Sequence, residues 1–591
     1  MKIVSQLTEA LIKSLSSLEY PENNIQLSPP NNSEFGDLST NVALTLSKDL
    51  KQNPMNIGKA IVDNLSLPED LIDDVTISQP GFINFKISNK YYYNILNEII
   101  DDNKYGRGKS GENKTANVEF VSANPTGPLT IGHGRNAVLG DCIANILEWN
   151  GFNVTREYYY NDAGRQMRIL GQSVEARYFE LLDKEFKFPE DGYEGDYIIE
   201  IANSIIESHG KELIKDDSIF QSEAEKSIFE EINETLKRIG ISFDQFTNEK
   251  TFYDNGDIDQ LLDDLKNKNL IYEKDDATWF KTTELGKEQD RVYIKSTGEP
   301  TYRLPDTAYH RDKVNRKYDL IVDVFGADHL DTYPDVLLAL NALGLNTDHI
   351  RVLLYQFVTL LRGGEKVKMS TRKATFVTLN ELIKEVGSDV VRYFFIMRGV
   401  NSHLNFDLDL ATDQSEKNPV FYLQYAHARI CNIIKRYEAL DNPKLNNYDL
   451  SLLTHQSELR LLKKLEQFPQ VIENSRTALE PQTIATYLYD TANSFHKFYS
   501  DCRVITEDKD LTQSRIALIK GVKIVLIDNA EYLNINSSNA LLKTIEEPPK
   551  DTYFFIINND TQKIINTIKS RCIDFVINFN FLEKKNIFNK I

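Results

Sequence analysis

Apolar residues near the start of the chain recur at helical spacing. Val4, Leu7, Leu11, Ile12, Leu15 and Leu18 mark a first amphipathic helix. The segment "ISQPGFINFKIS" alternates apolar and polar positions, the pattern of a half-buried strand. Together with "SEFGDLSTNVALTLSKDL" these make residues 1–100 a small α/β module. The polar stretch "DDNKYGRGKSGENKT" reads as a linker. From Ala116 onward strand and helix patterns alternate, which predicts a mainly parallel sheet. A helix opening near Gly132 carries Val138, Cys142 and Ile146, with Leu139, Ile143 and Leu147 on an adjacent row, as its buried face. Residues from about 175 to 250 are rich in Glu and Lys. They read as a helical insertion that packs on the sheet without joining it. Strand signals return at "RVYIKSTGEPTYRL" and "YDLIVDVFGADH", and beyond "SDVVRYFFIMRG" the pattern is helical to about residue 520.

At 591 residues the chain is too long for one core, so several domains are expected. No apolar run approaches the roughly 18 residues of a membrane span, and the N-terminus lacks the pattern of a secretion signal. Cys142, Cys431, Cys502 and Cys572 lie far apart with no CxxC pair. Neither a metal knuckle nor a disulfide framework is expected, and a reducing cytosol fits this usage best. The net charge of −20 argues against a general nucleic-acid coat, while leaving room for a local basic RNA-binding patch.

Two motifs carry chemistry. In "NVEFVSANPTGPLTIGHGRNAVLGD" a strand enters a Gly/Pro-rich turn and a helix begins at His133, between Gly132 and Gly134. Backbone N–H groups, a helix N-terminus and an imidazole then surround one volume suited to a nucleotide phosphate. The two glycines let a flat base or a phosphate approach the backbone. In "LLRGGEKVKMSTRKATFVTLNEL" two glycines precede Lys366, Lys368, Arg372 and Lys373. A glycine-hinged cationic loop of this kind can close over a triphosphate and neutralise departing pyrophosphate.

"GPLTIGH" resembles the HIGH signature of class I aminoacyl-tRNA synthetases, and "VKMST" resembles their KMSKS signature. With "REYYYNDAGRQMRILG", "YEGDYI", "PTYRLPDTAYH", "FGADH" and "QYAHARI" following in order, residues 1–520 resemble the bacterial arginyl-tRNA synthetase family. The resemblance implies an α/β multidomain chain: an N-terminal tRNA-binding domain (1–100) and a Rossmann-like parallel-sheet catalytic domain (101–395, insertion about 175–250). An α-helical anticodon-binding bundle (396–520) follows. It implies that arginine is activated by ATP, with Mg²⁺ travelling on the ATP, and passed to the 3′ end of tRNA(Arg) by a cytoplasmic monomer.

Carried over by position, His133, Lys368 and Thr130 are the implied catalytic residues. Pro128, Gly132, His133, Gly134, Gly326, Asp328, Lys368, Met369 and Ser370 would bind ATP. Glu119, Ser122, Asn124, Tyr302, Asp306 and His329 would bind arginine, with Glu119 and Asp306 framing its guanidinium. Tyr425, Arg429, Phe498 and Arg503 would contact tRNA by stacking and charge. Thr130 stands where HIGH has its first histidine, and Thr371 where KMSKS has its second lysine. Activity is therefore expected to lean on a neighbouring cation or to be reduced.

Beyond Gly521 the resemblance changes. "KIVLIDNAEYLN", "NALLKTIEEPP" and "IKSRC" resemble part of a bacterial clamp-loader δ′ subunit, making 521–591 a partial AAA+-like β-α-β tail. The chain contains no G-x-x-x-x-G-K-[ST] cradle, and Asn529 replaces the acid that usually follows Asp528, so the tail is not expected to bind or hydrolyse ATP. It is expected to be appended and marginally ordered. "KIVLI" reads either as a continuation of the last helix or as a buried strand. The helix is favoured because an intact core upstream can dock it. The rival reading of the whole chain is an impaired RNA-binding or replication-associated fusion, in which the tail recruits clamp-loader subunits.

Overall fold

Helix α1 (Lys2–Ser17) buries Ile3, Leu7, Leu11 and Leu15, a cleaner i, i+4 stripe than the sequence reading; Ile12 is exposed. The computed structural model describes residues 2–22, 25–68, 70–102, 104–367, 377–440 and 448–528. After α1 come β1 (Leu38–Thr40), α2 (Val42–Leu50), α3 (Pro54–Asp63), β2 (Ile72–Ser78), β3 (Phe82–Ile87) and α4 (Asn89–Asp101). The strands form an antiparallel sheet in the order β1-β3-β2. The expected linker is pinned instead. Tyr105 is buried and stacks on Phe468, and a side chain at Gly106, Gly108 or Gly111 would strike Phe468, Asn150 or Phe152.

The central sheet is five-stranded, parallel throughout and ordered β11-β10-β4-β5-β6. Its first part runs β4 (Thr115–Glu119), α5 (Ile131–Trp149), β5 (Asn153–Tyr160), α6 (Gly164–Leu181), α7 (Asp196–His209), α8 (Ile219–Arg238) and β6 (Gln245–Asn248). The insertion read as packing on the sheet therefore also supplies its fifth strand: β6 pairs with β5 from Gln245 to Asn248. Helix α5 is buried nearly all round: Val138, Leu139, Cys142, Ile143 and Leu147 lie in the main core, while Ile146 and Trp149 pack into the core of the N-terminal and helical parts.

Next come α9 (Lys250–Asp254), α10 (Asp257–Asn267), β7 (Ile271–Lys274), β8 (Ala277–Phe280), β9 (Arg291–Ile294) and α11 (Arg303–Asn315). Strands β7, β8 and β9 make a separate antiparallel sheet. "RVYI" is thus a strand outside the central sheet, and "RLPD" opens a helix where a strand was predicted. The chain returns through β10 (Leu320–Gly326), α12 (Tyr333–Ala342) and β11 (Ile350–Tyr355). A third small sheet holds β12 (Val358–Arg362), β13 (Glu365–Lys366) and, beyond α13 (Leu379–Val386) and α14 (Ser388–Ile396), β14 (Leu404–Asp407). β14 pairs with β12, so sheet pairing continues past residue 395.

The helical part comprises α15 (Leu408–Thr412), α16 (Pro419–Glu438), α17 (Gln456–Glu466), α18 (Phe468–Ala478), α19 (Gln482–Asp501) and α20 (Lys509–Lys523). It shares a core with the N-terminal domain. A Cβ on Gly521 would lie 2.4 Å from Leu96 of α4. "KIVLI" stays helical, and α20 runs into a π-helical turn, Ile524–Asp528, with Val522, Val525 and Leu526 buried. The strand reading is overturned for these residues because their apolar side chains already have a core to fill. The rest of the tail, 529–591, lies outside the described residues. Among the described residues, no helix is long and apolar enough to cross a membrane.

Candidate functional site

The turn leaving β4 holds two successive left-handed residues, Val121 (φ 65°) and Ser122 (φ 44°). For a β-branched valine this is strained, by roughly 1–3 kcal/mol, and such strain clusters at functional sites. Asn136 of α5 holds the turn: its Oδ1 accepts from Val121 N–H at 2.8 Å and its Nδ2 donates to Val324 O at 2.8 Å. Ser122 Oγ donates to Glu119 Oε1 (2.9 Å) and accepts from Tyr159 N–H (3.1 Å). Asn124 Oδ1 accepts from Asn161 N–H (2.9 Å), while its Nδ2 donates to Gln166 Oε1 (3.2 Å). Pro128 is half-buried in the same turn.

Thr130 is the N-cap of α5, and His133 closes a reciprocal capping box. Thr130 Oγ1 accepts from His133 N–H at 3.4 Å, and His133 Nδ1 accepts from Thr130 N–H at 3.2 Å. With Nδ1 accepting, a neutral ring carries its proton on Nε2 and can donate it outward. Desolvation pushes the imidazole pKa down to about 4 against the pull of Asp328, so the ring is neutral at pH 7. Thr130, a catalytic residue by the resemblance, has a capping role in the structure. Thr130→Ala is expected to destabilise the fold by about 1 kcal/mol in thermal unfolding, with Thr130→Ser close to wild type.

The two glycines differ. A side chain at Gly132 would meet only Thr130 Oγ1, at 3.6 Å, so this position leaves open space at the helix end. At Gly134 a Cβ would lie 2.6 Å from Leu379 Cδ1 and 3.0 Å from Phe395 Cε2. Gly134 therefore admits α13, and the expectation that it admits a nucleotide is corrected. Leu379 N–H donates to Leu129 O at 2.8 Å, and Thr130 bridges to Thr378, tying the segment after the cationic loop to the first motif. Lys368, Met369, Ser370 and Thr371 lie outside the described residues.

At the carboxyl end of β10, a Cβ on Gly326 would lie 2.3 Å from the exposed Asp328 carboxylate, whose charge reaches His133. His329 stacks on Phe325 with ring centres 4.9 Å apart and sits 4.0 Å from Asp328.

Beside this lies a buried cluster of charged groups built on one face of α11. Lys313, fully buried, pairs with Glu119 Oε2 and, at 2.5 Å, with Asp323 Oδ1, and lies 4.5 Å above the Tyr309 ring. His310 donates from Nδ1 to Asp306 O (2.8 Å), and its Nε2 faces Asp323 Oδ2 (3.2 Å). Burial alone would lower the pKa of His310, but Asp323 outweighs it and the pKa is raised. Burial likewise opposes the charge on Asp323, yet Lys313 and His310 hold its pKa low.

Asp306 has no such cation of its own. Desolvation pushes it up to about 7, and Glu249 and Glu119 add to the shift while His310 and Lys313 oppose it. Glu249 follows β6 and is buried, accepting from Tyr159 OH (3.0 Å) and Asn161 Nδ2 (2.7 Å); burial raises its pKa too. Tyr159 stacks on Tyr309 at 4.1 Å and 10°.

The structure thus joins Glu119, Ser122 and Asp306 in one cluster and sets His133 within reach of the Asp328 charge. Tyr302, at the N-cap of α11, is 71% exposed. Sequence reading missed Glu249, His310, Lys313 and Tyr159. The spacing Asp306–His310–Lys313 along one helix face was the available signal for two of them. Buried carboxylates such as Asp306 and Glu249 suit a cationic ligand, and the α5 N-terminus with its Nε2–H suits an anion.

On the helical part, the Arg429 guanidinium lies 4.4 Å from the ring centres of both Tyr425 and Tyr499. It also contacts His496 Nδ1 at 3.1 Å, and Tyr422 lies 4.5 Å from the same imidazole. Arg503 is exposed. Phe498 is fully buried in the helical core, which leaves no ring face for a base and corrects its assignment to tRNA contact.

Known proteins match this arrangement. Residues 94–393 match the "tRNA synthetases class I (R), catalytic domain" model, 2–87 the "Arginyl tRNA synthetase N terminal domain" and 423–541 the "DALR anticodon binding domain". Residues 506–581 match "DNA polymerase III, delta subunit". The arginine–tRNA ligase of Desulfotalea psychrophila is 48% identical over 517 residues, covering 87% of this chain and 94% of its own. That of Salinibacter ruber is 48% identical over 534 residues, covering 87% and 95%. A solved structure described as a putative arginyl-tRNA synthetase from Campylobacter jejuni superposes with a TM-score of 0.70 at 30% identity, covering 76% of this chain and 99% of its own. Thermus thermophilus arginyl-tRNA synthetase gives 0.68 at 20% identity over 89% and 98%, a likeness of fold. With the catalytic model spanning more than half of its length and such relatives matching nearly end to end, the chain belongs to the arginyl-tRNA synthetase family of class I tRNA synthetases.

Proposed function

We propose that this chain is an ATP-dependent arginine–tRNA ligase, working as a cytosolic monomer with Mg²⁺ carried on the ATP. The reading is supported by Asp306 and Glu249, two carboxylates whose pKa values burial raises, in a chain whose residues 94–393 match the class I (R) catalytic model. The guanidinium of arginine enters between carboxylates, and its α-carboxylate then faces the nucleotide side. That carboxylate attacks the α-phosphorus of ATP, and pyrophosphate leaves. His133 Nε2–H donates to a phosphate oxygen, where charge builds in the transition state. A ribose hydroxyl at the 3′ end of tRNA(Arg) next attacks the adenylate carbonyl, and AMP leaves. Positioning and charge stabilisation provide most of the rate. Tyr425, Arg429 and His496 form the aromatic and cationic surface for the RNA. Arginine-dependent ATP–pyrophosphate exchange, measured with tRNA(Arg) present, tests the reading; a folded protein without exchange would overturn it.

We read 529–591 as an appended clamp-loader δ′ fragment, in keeping with its motifs and with the match over 506–581. That match overlaps residues through Leu526 that pack into the shared core. A chain ending at Asp528 is expected to charge tRNA within roughly twofold of the full chain. Ending at Lys520 removes Val522, Val525 and Leu526 and is expected to cost roughly 2–5 kcal/mol in unfolding experiments. Co-purification of clamp-loader subunits with the full chain would favour a replication-linked role instead.

A further inference from the structure

The segment Tyr193–Ile198, "YEGDYI", leads into α7 of the insertion, and its second tyrosine ends against the Gly/Pro-rich turn after β4. Tyr197 OH donates to Thr126 O at 3.0 Å. Two glycines make room for this contact. A Cβ on Gly195, the N-cap of α7, would lie 2.4 Å from Tyr197 Cε1, so the ring folds back over its own helix start. A Cβ on Gly127 would lie 3.0 Å from the Tyr197 hydroxyl oxygen and 3.3 Å from Cζ, so the hydroxyl abuts the turn itself. The segment is anchored behind the ring: Tyr193 N–H donates to Ser173 Oγ of α6 at 3.0 Å, and Ile198 is fully buried in the main core. Thr126 lies midway between Ser122, which donates to Glu119, and Thr130, the N-cap of α5. The first half of the turn is held by the sheet and α5, through Tyr158 OH to Ala123 O at 2.7 Å and Val121 N–H to Asn136 Oδ1 at 2.8 Å. Its far end is held by the capping box of Thr130 and His133. Its middle is held from the insertion.

We propose that Tyr197 is a positioning residue for arginine activation: a hydroxyl supplied by the insertion that fixes the middle of the turn and so sets the spacing between Asn124 and the α5 N-terminus. This rests on the arginine-activating reading of the site. Asn124 then holds arginine while the α5 N-terminus faces the nucleotide, so a turn that slides carries the attacking carboxylate out of line with the α-phosphorus. A misplacement of about 1 Å can cost roughly 100-fold in rate. Loss of the hydroxyl alone frees the carbonyl of a half-buried residue, which water can satisfy, so the fold is kept.

The test uses full-length Tyr197→Phe, Gly127→Ala and the double variant in arginine-dependent ATP–pyrophosphate exchange with tRNA(Arg), with thermal unfolding alongside. For Tyr197→Phe, kcat is expected to fall roughly tenfold while the KM values for arginine and ATP stay within about threefold. Its melting temperature is expected within about 2 °C of wild type. Gly127→Ala pushes the turn off the same hydroxyl and is expected to lower kcat at least as far. A methyl at Gly127 and the Tyr197 hydroxyl compete for one space, so the double variant should be no slower than Gly127→Ala, where independent losses would multiply to roughly 100-fold. A Tyr197→Phe kcat within about twofold of wild type would overturn the proposal. So would losses that multiply in the double variant, or a fall in kcat that comes with a raised KM and a lowered melting temperature, the mark of general loosening. Wild-type protein inactive with arginine would instead refute the activation reading and the tether with it, whereas an active wild type with an unaffected Tyr197→Phe refutes the tether alone.

Discussion

Asp306→Asn is expected to raise the KM for arginine by roughly 30- to 5000-fold, the loss of one partner from a desolvated charge pair at about 2–5 kcal/mol. The wild-type pH profile provides an independent check. With its pKa pushed up to about 7, Asp306 is neutral below that pH and offers the guanidinium no charge. Guanidinium binding favours the ionised carboxylate and expels the proton. The KM for arginine should therefore rise about tenfold per unit as pH falls below 7, and level off above it. In Asp306→Asn that slope should vanish. The same shift bears on stability. The folded carboxyl binds a proton that the unfolded chain, with a pKa near 3.9, has already released. Free protein should thus lose stability as pH rises from about 4 through 7, and saturating arginine should recover it above pH 7. An arginine KM flat from pH 6 to 8, measured by steady-state exchange, would remove Asp306 from the binding site.

His133→Ala is expected to lower kcat for arginyl-adenylate formation by roughly 10²–10³-fold, the usual cost of removing one preorganised donor from a developing charge. The KM for arginine should change little, because the guanidinium is held elsewhere. His133→Glu separates catalysis from folding. A glutamate three residues after a threonine N-cap restores the reciprocal capping pair and places a negative charge in the first helical turn, both favourable to the helix. The same charge repels phosphate. His133→Glu should therefore melt at or above the wild-type temperature yet activate arginine more slowly than His133→Ala. Parallel changes in melting temperature and kcat across the two variants would reduce His133 to a capping residue. Because burial holds the imidazole near 4, its titration should leave no inflection in kcat between pH 6 and 8.

The strand, turn and helix start of β4 and α5 and the parallel sheet were legible because each is local, lying within one run of sequence. Glu249 was not. It follows a four-residue strand too short to show a period, inside a stretch whose composition looked wholly helical. Lys313 was visible only as a cation three residues beyond His310. Its burial against Glu119 depends on β4 and β10 lying side by side, which no local pattern encodes. Gly134 and Phe498 went the other way. A glycine beside a histidine reads as ligand space, and an aromatic on a tRNA-facing helix reads as a stacking platform, until Leu379 and the helical core are seen to occupy those volumes. "KIVLI" was ambiguous because a five-residue apolar run satisfies either period, and the partner surface, α4 with its Leu96, lies more than 400 residues away.

The most direct measurement is the charging of total tRNA by the purified full-length chain with each of the twenty amino acids in turn, in the presence of ATP and Mg²⁺. The expected result is charging with arginine alone, dependent on ATP and confined to tRNA(Arg). A folded chain that charges no tRNA, or charges it with another amino acid, would contradict the proposal that the Asp306 and Glu249 carboxylates and the α5 N-terminus form an arginine-activating site.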